Sequence, residues 1–159
     1  MRYWVAACTA VVWLAALPEA NGADQGADQG TAAFNTYCAM CHQVTGMGLP
    51  GQFPRIAGRA DQIAKSAKGR QYLCTLVLYG MTGKVTIDGN TFVGVMAPLG
   101  QLSDQDLADA LNHVMQFGKT KVKPFTAAEV KAQRRPTPLS LSEVYEIRSQ
   151  LMTAGSIPP

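Results

Sequence analysis

The sequence is short of several things at once. Of its 159 residues, 2 are histidine, 4 are cysteine and 16% are charged. A zinc site needs a second ligand pair at metal spacing. Here Cys74 stands alone and His113 is the other histidine outside the one cysteine-histidine cluster. No polybasic run with interleaved aromatics occurs and the formal net charge is a mild +3, which argues against nucleic-acid binding. No apolar stretch reaches the length of a good transmembrane helix, and no internal repeat points to a second domain of the same kind. What remains is a chain 47% hydrophobic, of a size that suits one domain with an appendage.

The N-terminus reads as an export signal rather than as structure. Arg2 supplies a positive start, residues 4–17 are almost wholly apolar, and Pro18 breaks the run before the small residues of EANGAD. Cleavage after Gly22 satisfies the small-x-small rule through Ala20 and Gly22; the alternative is an uncleaved N-terminal anchor. The expected division is a signal peptide over 1–22, a flexible lead-in over 23–30 (the tandem ADQGADQG), a main domain over 31–118 and a helical extension over 119–159. Export to the periplasm follows, with no stable membrane span after cleavage. Cys8 leaves with the signal, so the mature chain keeps Cys38, Cys41 and Cys74.

Periodicity predicts an all-α chain with long loops. A helix is expected from near Thr31, carrying Phe34, Tyr37, Cys38 and Cys41 at spacings of three and four. GMGLPGQFPRIAGRA must be loop, Asp61 is expected to cap a short helix, and 71–79 forms another, stopped by Gly80. KVTIDGNTFV alternates around Asp88-Gly89-Asn90 and predicts a small hairpin, with GVMAPLG again loop. Residues 103–117 stripe Leu107, Ala110, Leu111, Val114 and Phe117 on one face. Thr126-x-x-Glu129 and Ser140-x-x-Glu143 are capping boxes for two further helices.

CAMCH, residues 38–42, carries the chemistry. A redox CxxC should follow a buried strand, whereas 31–37 reads as helix. Covalent haem accounts for all three fixed residues. Cysteines three apart on one helical turn reach both porphyrin vinyl groups as thioethers, and the next residue, His42, supplies the proximal imidazole.

The stretch from about Gly30 to Gly118 resembles a class I, mitochondrial-type bacterial cytochrome c with one haem. Gly30 and Phe34 match the small and aromatic positions where the first and last family helices cross. Pro54, in FPRIAG, resembles the proline whose carbonyl accepts from the proximal histidine; Ile56 and Gly58 continue as haem-packing and turn positions. GVMAPLGQLSDQDLADALNHV resembles the sixth-ligand loop and final helix, with Met96 as axial thioether, although Ala97 separates Met96 from Pro98 where many relatives read Met-Pro. The resemblance thus implies a cytochrome c fold and one haem c bound through Cys38 and Cys41. His42 and Met96 would ligate the iron, and Pro54 and Ile56 would support it. Met81, in YGMTGK, is the rival sixth ligand.

The implied role is a single-electron carrier, not an enzyme, between a periplasmic dehydrogenase and an oxidase or another cytochrome. The segment 80–98 is similar to haem domains that accompany periplasmic quinoprotein or molybdenum dehydrogenases. The alternative is a tightly bound haem subunit of such a complex; an open-haem enzyme or gas sensor would need a missing sixth ligand. His113 reads as a packing or surface residue at the helix seam, and Cys74 as a buried thiol or an intermolecular disulfide partner. Arg55 and Arg59 read either as propionate partners or as surface charge. Basic clusters over 55–70 and 119–135 suit electrostatic steering or plain solubility. The extension's apolar stripe, Leu141, Val144, Ile147 and Leu151, must be covered, either by this chain's core or by another subunit.

Overall fold

The computed structural model describes residues 22–159, so the expected export signal falls, but for Gly22, outside them. Among the described residues, helices dominate and one hairpin interrupts them. No helix among these residues is long and apolar enough to cross a membrane.

Helix α1 (Gly22–Tyr37) begins well before Thr31, and the ADQGADQG segment is helical backbone rather than an irregular lead-in. The tandem glycines cost a helix only about 1 kcal/mol each, and extending a helix already nucleated by packed residues is easy. A single non-helical residue, Cys38, separates it from α2 (Ala39–His42). Helix α5 (Asp104–Met115), capped by the Ser103 hydroxyl, crosses α1. A Cβ on Gly30 would stand 2.5 Å from the Asp109 carbonyl oxygen, so only glycine lets the two backbones approach this closely. Phe34 fills the seam and is fully buried, with Phe117 edge-on to it at 5.3 Å between centroids. Gly30→Ala is expected to destabilise by about 1–3 kcal/mol through overpacking, read as a lower melting temperature; an unchanged melt would mean that the crossing yields easily.

Between them lie α3 (Ala60–Ile63) and α4 (Ala67–Tyr79). Helix α4 starts a turn earlier than its apolar pattern, because Ser66 caps it by accepting from the Gly69 amide. Asp61 is not the cap expected of it. It lies inside the first turn of α3, buried, and its carboxylate accepts from the Thr120 amide at 2.9 Å. Helices α4 and α5 and the extension meet in the main core around Leu73, Leu78, Leu107 and Leu111.

The hairpin is longer than the alternation in KVTIDGNTFV. Strands β1 (Met81–Ile87) and β2 (Asn90–Met96) pair antiparallel in a register that sets Met81 opposite Met96. Asp88 and Gly89 both take positive φ, 52° and 76°, the requirement of a tight two-residue turn whose twist matches the strands. The added length has a tertiary cause: the Tyr145 ring lies on Gly83, and its hydroxyl donates to the Lys84 carbonyl at 2.9 Å.

The extension packs on its own chain. Both capping boxes form, opening α6 (Ala127–Lys131) and α7 (Leu141–Thr153). Phe125, Val130, Val144 and Ile157 are buried in the main core, with Leu139, Ile147 and Leu151 packed against it. Arg70 clamps the lead into α6: it grips Glu129 with two bonds of 2.8 and 3.0 Å and stacks over Phe125 at 3.9 Å. The face expected to need cover is therefore covered from within, and its centre is Val144 and Arg148 rather than all four predicted aliphatics equally.

Candidate functional site

The CAMCH residues sit where α1 gives way to α2, with Cys38 and Ala39 packed against the cluster of Phe34, Ala60 and Val114. Among the described residues Cys38, Cys41 and Cys74 form no disulfide, which leaves Cys38 and Cys41 available for thioether attachment. Cys74 is buried on α4 and its thiol is pushed up to about 12, by burial first, which leaves it an inert small hydrophobe in the core.

His42 is fixed by the loop that follows it. Its Nδ1 bonds the Pro54 carbonyl oxygen at 2.9 Å. A carbonyl only accepts, so Nδ1 carries the proton and the neutral ring keeps its lone pair on Nε2. Burial lowers the His42 pKa, partly offset by that carbonyl, and so favours the neutral form a metal requires. Ile56 is half-buried against the Phe34 cluster, and its amide bonds the Gly46 carbonyl at 2.8 Å, which pins the loop's return.

The hairpin presents two methionines side by side, and their surroundings differ. Met81 is packed against the main and hairpin cores, and its sulfur accepts from the Tyr72 hydroxyl at 3.7 Å. Met96 ends β2, half-exposed, in none of the core clusters and with no hydrogen bond to its sulfur among the described residues. Its backbone is held instead: Gly80, at φ 68°, leaves no room for a Cβ, which would collide with the Met96 oxygen and stand 2.8 Å from the Pro98 nitrogen. A mostly apolar cleft of about 230 Å³ opens between the loop and the hairpin, lined by Met47, Pro50, Phe53, Ile87 and Phe92. Arg55 and Asp88 also line it and join across it in a paired contact of 2.7 and 3.0 Å. That hydrogen-bonded pairing raises the Arg55 pKa and lowers that of Asp88. Two cysteines three apart, a neutral imidazole oriented by a backbone carbonyl and a soft thioether are the donors that a covalently attached haem requires.

The sequence profile of the cytochrome c family matches residues 27–118. The chain belongs to the cytochrome c family. Two relatives are forms of cytochrome c-552 of Thermus thermophilus. One is 43% identical over 108 residues, covering 65% of this chain and 82% of its own. The other, from a designated strain of the same organism, is 42% identical over 108 residues, covering 65% and 73%. Membership makes this a class I monohaem cytochrome whose general role is electron transfer, with haem c held covalently through cysteines.

Other candidates fall into place around this cytochrome's site. His113 shares a hydrogen bond with Thr31 at 3.1 Å and packs between Phe34 and Phe117, at 5.0 and 5.1 Å, in the α1–α5 seam. Several basic residues are spoken for internally: Arg55 by Asp88, Arg70 by Glu129, and Arg134 by Asp104 at 2.6 Å. Two side chains escaped sequence reading. Tyr72 carries no local signal beyond its type. Arg148 does carry one, since it falls four residues after Val144 on the apolar stripe of α7, where an aliphatic residue is expected.

Asp61 makes the segment after α5 sensitive to acid. Burial alone would raise its pKa, but the Thr120 amide and hydroxyl outweigh it and hold the carboxyl below the ordinary 3.8. A depressed folded-state pKa stabilises above the unfolded value, and the benefit is lost as pH falls through the folded one. Asp61→Asn is therefore expected to cost about 1.5–3 kcal/mol at pH 7, as a charged hydrogen bond does. The gap to the wild type in urea melts should close as pH drops below the usual aspartate range. A gap independent of pH would remove the carboxylate from the account.

Proposed function

We propose that this cytochrome is an exported carrier of single electrons, with His42 and Met96 as the axial ligands of haem c bound through Cys38 and Cys41. The supporting observation is the contrast between the two hairpin methionines: both are partly buried, but the Met81 sulfur accepts from the Tyr72 hydroxyl and packs on the core, while that of Met96 has no hydrogen bond among the described residues. Pro54 orients the His42 ring through Nδ1 and raises the basicity of Nε2. The Met96 thioether is a soft neutral donor that favours ferrous iron and raises the reduction potential. Ile56 backs the loop between them. When bound, haem c supplies reversible one-electron exchange; the chain's part is to fill both axial positions and exclude substrate.

The apolar run over residues 4–17 and the small residues after Pro18 support export to the periplasm. The electron donor in this reading is a periplasmic dehydrogenase, and the acceptor an oxidase or another cytochrome. The test is to offer the ferrous protein carbon monoxide at neutral pH, then membranes bearing a terminal oxidase. No carbon monoxide complex should form, and the membranes should oxidise the protein at a rate that falls with ionic strength. Rapid carbon monoxide binding by the wild type would replace this reading with an open-haem enzyme or sensor.

A further inference from the structure

The two strands of the hairpin are protected unequally. A bare strand edge is a template for pairing with another chain, and proteins blunt such edges with charge, proline, a bulge or a covering element. The outer side of β1 is covered: α7 packs on it and the Tyr145 hydroxyl donates to the Lys84 carbonyl. The edge of β2 has none of these devices. Its sequence, NTFVGVM, holds no charge and no proline, and its pairing with β1 runs from end to end without a bulge. Among the described residues β1 is its sole neighbour in the sheet.

The turn fixes which groups that edge presents. Ile87 and Asn90 flank a two-residue turn and so form a hydrogen-bonded pair. The alternation of an antiparallel ladder then gives Val85 with Phe92, Gly83 with Gly94 and Met81 with Met96 the same character. Thr91, Val93 and Val95 therefore turn their N–H and C=O groups away from β1, just as Lys84 turns its carbonyl outward to Tyr145 on the other strand. No loop among the described residues bonds those groups on β2. The side chains of the same three residues share the face opposite Phe92 and Met96, and Val93 and Val95 are 78% and 65% exposed.

We propose that this edge of β2 docks a second copy of the chain, the two β2 strands pairing antiparallel about a two-fold axis at Val93. In that register Thr91 faces Val95 of the second copy, and Val93 faces its own equivalent. Each such pair exchanges both of its N–H···O bonds, which satisfies every open group on the three residues. The order Thr-x-Val-x-Val is its own complement in this arrangement, and β-branched cross-strand pairs stabilise a sheet. Charge favours the same occupant. A charged redox partner finds nothing to read on an uncharged strand, while two copies meet there without opposing like charges. The lysine on that face, Lys84 on β1, would stand three strand spacings from its equivalent, about 14 Å, beyond the screening length of about 8 Å at physiological salt.

The contact is narrow, a single strand edge about 23 Å long. That is less than the roughly 1,200 Å² of a stable interface calls for, so pairing should be weak, with a dissociation constant on the order of 0.1 mM. Sedimentation equilibrium of the holoprotein should show monomer giving way to dimer as concentration rises to about 2 mM. The Thr91, Val93 and Val95 amides should exchange hydrogen about tenfold more slowly once nine-tenths of the chains are paired. Val93→Lys sets two charges face to face and should stay monomeric over the same range, with the wild-type haem spectrum and melting temperature. Thr91→Lys serves if that variant fails to mature. Salt should leave the pairing unchanged or tighten it, the reverse of the partner docking proposed above, so neither result depends on the other. A wild type still monomeric at about 2 mM overturns the proposal, as does pairing that salt abolishes or that persists in Val93→Lys. A dimer broken by Val44→Lys but not by Val93→Lys would move the interface to the exposed patch beside CAMCH.

Discussion

Replacing Met96 by alanine is expected to abolish the long-wavelength sulfur-to-iron band of the ferric protein completely and to open the iron to carbon monoxide. The thioether of Met96 is the hairpin sulfur that no other described side chain claims, and its backbone is pinned against Gly80. Loss of the soft donor should also lower the reduction potential, because a thioether favours ferrous iron. Met81→Ala is the control. It removes packing in two clusters and the acceptor of the Tyr72 hydroxyl, and should cost about 2 kcal/mol or more in stability. It should leave the band in place. The reverse pattern, band lost with Met81 and kept without Met96, would exchange the two assignments.

Deleting residues 136–159 is expected to lower the melting temperature of the holoprotein by about 10 °C or more. The deletion strips Val144 and Ile157 from the main core and takes away the Tyr145 brace on the hairpin. Full burial of such side chains contributes about 1.5–3 kcal/mol each. Two of them amount to a large share of the roughly 5–15 kcal/mol that holds a domain folded, and at this size each kcal/mol moves the midpoint by a few degrees. The hairpin should loosen first, so the sulfur-to-iron band should fade at a lower temperature than the helical signal. A truncated protein that melts like the full chain would mean that α7 adds nothing to the core on which it lies.

Much of this cytochrome is legible in one dimension. CAMCH states its chemistry because two thioether attachments and an axial imidazole must fall within one turn, so local spacing alone encodes them. The α5 stripe and both capping boxes are equally local, since a helix side chain's neighbours lie three and four residues away. Gly30 and Phe34 belong to the same class, being read from a family pattern whose physical basis is the close α1–α5 crossing.

The rest depended on residues far apart in the chain. The hairpin reaches Met81 and Met96 because Tyr145, 61 positions beyond the Lys84 carbonyl it bonds, lies against Gly83. Asp61 reads as a cap in one dimension because its real partner, the Thr120 amide, is 59 residues away. The cover for α7 likewise comes from a core gathered from α4 and α5. In the sequence Arg148 stands out only by falling on the apolar stripe of α7; the packed structure turned its side chain inward and left a buried N–H over. Spacing along a chain encodes what one helical turn can hold together, whereas burial and orphaned charge exist only once distant segments have closed around a side chain.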